Sequence, residues 1–266
     1  MKFLSAAFPR SFRIPHSTFL VFWLALAALA TSARAQNYTF QTLDDPNADP
    51  ANGGTNANGI DGGNIVGEYT DGNGNGHGFL YNMTTQSYAT LDDPAANPAK
   101  GGTDPFGISG GNIVGSYLDS NGYNHGFLYN LATQSYTTLD DPSASISNNN
   151  GTSANGIDGG NIVGEYTDGN NQTHGFLYNI ATNTYATLDA PNAGGHTQAI
   201  GISDGNIVGV YGNGTHSFLY NLTTQSYTIL DDPAADPAGS IFAQGISGGN
   251  IVGIYSDGNS NTLNKI

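Results

Sequence analysis

The chain has 266 residues and a formal charge of −15, with 38 Gly, 11 Pro and no Cys. Charged residues are 10% of it and hydrophobic residues 38%, which excludes a disordered polyelectrolyte, and the absence of Cys excludes a disulfide scaffold. Four of the six basic residues (Lys2, Arg10, Arg13, Arg34) precede residue 36, after which two cations face all 21 carboxylates, so a basic patch for nucleic acid or an anionic membrane is excluded.

The first segment reads as an address. Lys2, Arg10 and Arg13 precede the apolar run Thr18–Ala30, and Ala33-Arg34-Ala35 follows it. This is the n-region, h-region and A-x-A site of a secretory signal peptide, with cleavage expected after Ala35. The run is too short to span a bilayer, which takes roughly 20 residues, although an uncleaved anchor is the alternative. The expected organisation is a signal peptide at 1–35 and one domain at 36–266. Its expected location is secreted, periplasmic or on the cell surface of a bacterium, with no membrane span after cleavage.

From residue 38 one unit is written five times. The phrase G-N-I-V-G-x-Y occurs at Gly63–Tyr69, Gly111–Tyr117, Gly160–Tyr166, Gly205–Tyr211 and Gly249–Tyr255, with steps of 48, 49, 45 and 44 residues. Each unit offers four strand-forming pieces. The first, Y-x-T-L-D-D-P or a near copy, starts at Tyr38, Tyr88, Tyr136, Tyr185 and Tyr227. The second is a short segment ending at Ile60, Ile108, Ile157, Ile202 and Ile246. The third is N-I-V-G-x-Y. The fourth is G-F-L-Y-N, or Ser217–Asn221 in the fourth copy. The joints are Gly-, Asn- and Asp-rich, as tight hairpins require, and Pro ends the strand at D-D-P.

Four short strands per unit of about 45 residues is the profile of a propeller blade, and no segment has helical periodicity. The expected fold is all-β, a five-bladed β-propeller of four-stranded antiparallel blades. In it, Tyr38–Asp44 and the strands after Ala243 complete a fifth blade from both chain ends. The alternative, an open β-solenoid array, would leave long unpaired edges. At the C-terminus, Asn261–Ile266 replaces the expected G-F-L-Y, as a degenerate last strand or a truncation.

The unit G-I-x-x-G-x-I-V-G-x-Y…H-G-F-L-Y…Y-x-T-L-D-x-P resembles the HAF repeats of extracellular bacterial proteins, over residues 38–260. The naming His-Ala-Phe is His-Gly-Phe three times here and His-Ser-Phe once. The resemblance implies an extracellular location and no particular activity.

Candidate chemistry falls into four groups. His77, His125, His174 and His216 recur once per unit, which points to a structural role within each blade over a ring-wide metal site. Asp71, Asn73 and Asn75 fit the D-x-[DN]-x-[DN]-G opening of a calcium loop, making calcium the one candidate ion, although turn chemistry also explains the pattern. The pairs Asp44/Asp45, Asp92/Asp93, Asp140/Asp141 and Asp231/Asp232 read as caps at strand ends, because neighbours on a strand point to opposite faces and cannot form a catalytic dyad. Tyr69, Tyr117, Tyr166, Tyr211 and Tyr255 are candidate ligand-binding residues if they line grooves between blades. Glu68 and Glu165 share their position with Ser116, Val210 and Ile254, which reads as tolerant and exposed. Of the largest loop departures, Lys100–Phe106, Ser143–Asn150 and Gly194–His196, only the first carries an acid, Asp104.

These readings point to a non-enzymatic, monomeric binding or surface-structural module with no resident cofactor. The leading partner class is extracellular carbohydrate or another cell-surface component, bound weakly at several equivalent sites. The alternatives are a purely structural scaffold and a glycan-active enzyme on a propeller, the latter requiring one asymmetric site.

Overall fold

The computed structural model describes residues 40–145, 150–212, 214–230, 241–256 and 262–265. The expected signal peptide, Tyr38, Asp231/Asp232 and Asn261 lie outside those residues. The repeat region, Leu43–Ile266, is one compact unit.

Its strands form five antiparallel meanders. The first is β1 (Thr55–Asp61), β2 (Asn64–Thr70), β3 (Gly76–Asn82) and β4 (Ser87–Thr90). The second is β5 (Thr103–Ser109), β6 (Asn112–Leu118), β7 (Asn124–Asn130) and β8 (Ser135–Leu139). The third is β9 (Thr152–Asp158), β10 (Asn161–Thr167), β11 (Thr173–Asn179) and β12 (Thr184–Leu188). The fourth is β13 (Thr197–Ser203), β14 (Asn206–Tyr211), β15 (His216–Asn221) and β16 (Ser226–Ile229). The fifth has three strands, β17 (Ile241–Ser247), β18 (Asn250–Ser256) and β19 (Thr262–Lys265). The first strands of successive sheets pack side by side from β1 through β17. This is a five-bladed β-propeller.

The repeat phrase explains the blade. Asp61 pairs with Asn64 across a two-residue turn at Gly62 and Gly63, both at positive φ (55° and 87°), the conformation that twists with the flanking strands. The glycine inside I-V-G-x-Y is required by contact. A Cβ on Gly67 would sit 1.9 Å from the Asn56 carbonyl and 2.9 Å from the Phe79 ring, and Gly115, Gly164 and Gly209 are as tightly enclosed. The flanking Asn residues tie the middle strands together. Asn82 donates to Asn64 at 2.9 Å, with the same bond at Asn130–Asn112, Asn179–Asn161 and Asn221–Asn206. Every first strand carries a β-bulge, at Asn58, Phe106, Asn155, Ile200 and Gln244.

The core lies in the seams between blades. Val66 of the first blade packs in one cluster with Ile108, Ile113 and Phe127 of the second. Val114 repeats this with Ile157, Ile162 and Phe176, and Val163 with Ile202, Ile207 and Phe218. Phe79, Phe127, Phe176 and Phe218 are fully buried, each contributing about 1.5–3 kcal/mol through removal from water.

Two expectations about the chain ends meet different outcomes. Thr262–Lys265 forms a strand that pairs with β18. Phe40–Asp44 enters no strand, so the described part of the N-terminal piece does not complete the fifth blade. Leu43 instead packs on the first blade with Tyr69, Phe79 and Tyr81, as Leu91 packs on the second.

Candidate functional site

The most densely polar feature is a His–Asp cluster at one end of each early blade. Register places His77 on β3 opposite Tyr69 on β2, and the two rings stack with centroids 5.1 Å apart. His77 Nδ1 donates to Asp92 Oδ2 at 2.8 Å, while Nε2 lies 3.7 Å from Asp71 Oδ2. His125 with Asp140 and Asp119, and His174 with Asp189 and Asp168, repeat these distances within 0.2 Å. In the fourth blade His216 stacks on Tyr211, but the loop is shortened and brings no counterpart of Asp71. Both imidazole nitrogens in the first three blades face carboxylates of their own blade, which is the intra-blade task expected of a residue required in each copy.

The loop read as a calcium opening is built around one of those carboxylates. Asp71 Oδ1 accepts the backbone N–H groups of Asn73 and Asn75, each at 2.8 Å. Its Oδ2 accepts the side-chain amides of Asn75 at 3.1 Å and Asn73 at 3.5 Å. These bonds, led by the Asn75 backbone N–H, hold Asp71 down at about 2. Asp71, Asn73 and Asn75 therefore satisfy one another, with Asn73 and Asn75 acting as donors. Among the described residues no three His, Cys, Asp or Glu side chains converge in a way that could hold a metal ion.

The D-D-P acids divide their work between two blades. Asp92 serves its own blade through His77 and the Gly78 N–H, which donates to it at 3.2 Å. Asp93 is buried at the start of the next blade. Its backbone N–H donates to Thr103 Oγ1 at 2.9 Å, and its Oδ1 accepts the Ala95 N–H at 2.8 Å. Asp45 with Thr55 and Asp141 with Thr152 repeat the arrangement. Both acids lie just beyond the strand end, since β4 stops at Thr90 and β8 at Leu139.

The tyrosines are placed differently from expectation. Tyr69, Tyr117, Tyr166 and Tyr211 are only 4–8% exposed, and Tyr255 is half-buried. The hydroxyls of Tyr69, Tyr117 and Tyr166 share hydrogen bonds with Thr90, Thr138 and Thr187 at 3.3–3.4 Å. Tyr69, Tyr117, Tyr166 and Tyr211 are thus buried rings stacked on histidine, and the first three reach exposed threonines of the last strand only through their hydroxyls. The exposed polar surface is instead a repeated rim turn. Asn82 Oδ1 accepts the Thr84 and Thr85 N–H groups, and the Thr85 and Ser87 hydroxyls bond at 2.8 Å. The same turn recurs at Asn130, Asn179 and Asn221.

Sequence reasoning also misjudged the position of Glu68 and Glu165. Its other occupants include Ser116 and Val210, both buried, so it is an inward position in the seam. Asn58 donates to Glu68 Oε2 and, across the seam, to the Pro105 carbonyl. Asp104 sits beside Glu68, and burial, reinforced by that negative charge, pushes it up to about 6. Two seams later Glu165 bonds Gln198, its Oε2 is buried without a partner, and burial pushes it up to about 7. The apolar Val210 and Ile254 at the equivalent positions were the signal that could have shown this position to be inward.

No protein-family model and no curated protein matches the sequence. Among solved structures, TolB from Acinetobacter baumannii is similar at 15% identity and TM-score 0.51. The alignment covers 78% of this chain and 52% of that one, so the chain spans about half the length of that TolB. A protein designated TolB from Agrobacterium tumefaciens is similar at 12% identity and TM-score 0.53, with 79% of each chain covered. Both are β-propellers, and at these identities the likeness shows the fold alone.

Proposed function

We propose that this protein is an exported, non-enzymatic β-propeller of the HAF-repeat type, acting as a binding module at or outside the bacterial cell surface. The observation that carries this reading is the closure of its repeated polar clusters. In three blades each imidazole lies between two carboxylates of its own blade, and the exposed rim turns are the repeated polar groups at the surface. Export is supported by the charged, apolar and A-x-A pattern of residues 1–35. The partner class we favour is extracellular carbohydrate, held weakly and multivalently by the rim turns, whose exposed side chains include Gln86, Gln134 and Gln225 in three of the four.

Thermal unfolding of the full chain with a panel of oligosaccharides tests this. A ligand at 100 times its Kd stabilises a fold by about 2.7 kcal/mol, a shift large enough to read. No shift with any glycan would leave the structural-scaffold alternative in its place.

A second reading rests on Glu68 and Asp104, two acids that meet at one seam. A carboxyl pair with one member raised is the equipment of glycoside hydrolysis. New reducing ends released by the wild type and lost in Asp104→Asn would establish that reading against the first.

A further inference from the structure

The four rim turns, residues 83–87, 131–135, 180–184 and 222–226, share one backbone but not one residue at its tightest point. The fourth residue of each lies in the left-handed region: Gln86, Gln134 and Asn183 at φ 53° and Gln225 at 52°. In that region a Cβ crowds the following carbonyl, so glycine fits freely, Asn and Asp are tolerated, and longer side chains are strained. Elsewhere the molecule keeps to this rule. Among the described residues its other positive-φ positions are glycines, Asn171, Asn192 and Asp204. Glutamine breaks the rule three times, each time in a rim turn.

The turn is closed by other side chains. Asn82 Oδ1 accepts the N–H groups of Thr84 and Thr85 and the Thr85 hydroxyl, which in turn bonds the Ser87 hydroxyl at 2.8 Å. The same bonds recur around Asn130, Asn179 and Asn221. The third turn shows the residue that suits this backbone. Asn183 meets the same dihedral with a shorter side chain, and its Oδ1 accepts the Tyr178 hydroxyl at 2.9 Å. Tyr81, Tyr129 and Tyr220 hold the position of Tyr178 in the other blades, yet their turns carry glutamine. All three glutamines are exposed, and none of the four turns carries a charge. Strain kept at three exposed positions, where a fourth copy shows a better-suited residue, points to a task outside the fold.

We infer that Gln86, Gln134 and Gln225 are the specificity-determining contacts of the rim, so that the first, second and fourth blades bind a neutral glycan and the third does not. The inference rests on the glycan reading of the rim turns and narrows it to three sites of one kind. A primary carboxamide offers two donors and one acceptor without charge, which matches neighbouring sugar hydroxyls. The Thr and Ser hydroxyls beside each glutamine extend that set, and an uncharged turn neither attracts nor repels an ionic polymer. A backbone already held in the left-handed well lowers the ordering cost of binding. The three turns lie at one end of the propeller, because each joins the third strand of its blade to the fourth. One glycan chain can therefore engage more than one of them. In the third blade the carboxamide is spent on Tyr178.

Thermal unfolding of the full chain, titrated with neutral oligosaccharides of glucose, mannose, xylose and N-acetylglucosamine, tests this on two variants. The first combines Gln86→Asn, Gln134→Asn and Gln225→Asn, giving all four turns the residue of the third. Relief of strain should raise its unliganded Tm by about 2 °C or more, while the sugar concentration needed for a further rise should increase at least tenfold. The second, Asn183→Gln, should lower the unliganded Tm slightly and shift the titration to lower sugar concentration. A triple variant that titrates like the wild type would overturn the inference and leave the glycan reading standing. A triple variant with a lowered Tm would overturn it too, by showing that the turn itself needs glutamine. A wild type indifferent to every sugar would remove the glycan reading, and the inference with it.

Discussion

The His–Asp clusters and the seams between blades follow opposite rules. His77, His125 and His174 hold the same partners at nearly the same distances, so three blades repeat one polar cluster with its loop, stack and carboxylates. The seams share an apolar floor but vary above it. The two facing positions hold Glu68 and Asp104, then Ser116 and Ser153, then Glu165 and Gln198, then Val210 and Phe242. A cluster whose groups all serve the same blade tolerates little change, because any substitution leaves a partner unsatisfied. A seam position must fill space between two surfaces, and several chemistries do that. Repetition therefore marks architecture in this molecule, and its departures mark the places where chemistry differs.

The sharpest way to break the comparison is at the shared apolar floor. Phe127→Ala should cost about 3–5 kcal/mol by urea unfolding, since the ring is fully buried between two blades. A cost below about 1 kcal/mol would mean that neighbouring blades absorb the cavity.

The variable layer should show itself through pH. Glu165 rises from an ordinary 4.5 to about 7 in the folded chain, so the unfolded state releases its proton first. Its burial therefore costs nothing below about pH 4 and destabilises increasingly as pH rises to 7, reaching about 1–3 kcal/mol above that. Glu165→Gln should gain most of that stability at pH 8 and little at pH 4. Asp104→Asn should behave alike over a lower window, ending near pH 6. Equal effects at both pH values would remove the titration account.

The repeated cluster should yield a smaller and additive loss. His77→Ala removes one stack and one charge-assisted hydrogen bond, worth about 1–2 kcal/mol, and the double variant with His174→Ala should lose the sum. Asp71 is held low by its turn, so the stability it brings is present above its ordinary 3.8 and is lost as pH falls towards about 2. Calcium in place of EDTA should leave Tm unchanged, because the Asp71 oxygens already accept the donors of Asn73 and Asn75.

The blade was legible because its signals are local. Two glycines in a hairpin, alternation along N-I-V-G-x-Y and a proline after D-D each fix a turn or an edge within a few residues. The recurrence of the histidine spoke correctly for a role inside the blade. What failed depends on which surface meets which. A tyrosine in a strand looks the same whether it faces a groove or stacks on a histidine 5.1 Å away. Glu68 and Glu165 looked tolerated at the surface because acids seldom occupy seams, and only the aliphatic Val210 and Ile254 hinted otherwise.

The most direct test of the proposed role is thermal unfolding of the full chain against the oligosaccharide panel, with Thr85, Thr133, Thr182 and Thr224 all changed to Ala in a parallel sample. The account predicts a glycan-dependent rise in Tm that the rim variant loses when each protein is compared with its own unliganded Tm. A rise that survives in the rim variant and disappears in Asp104→Asn would contradict it, moving recognition from the repeated rims to the one asymmetric seam.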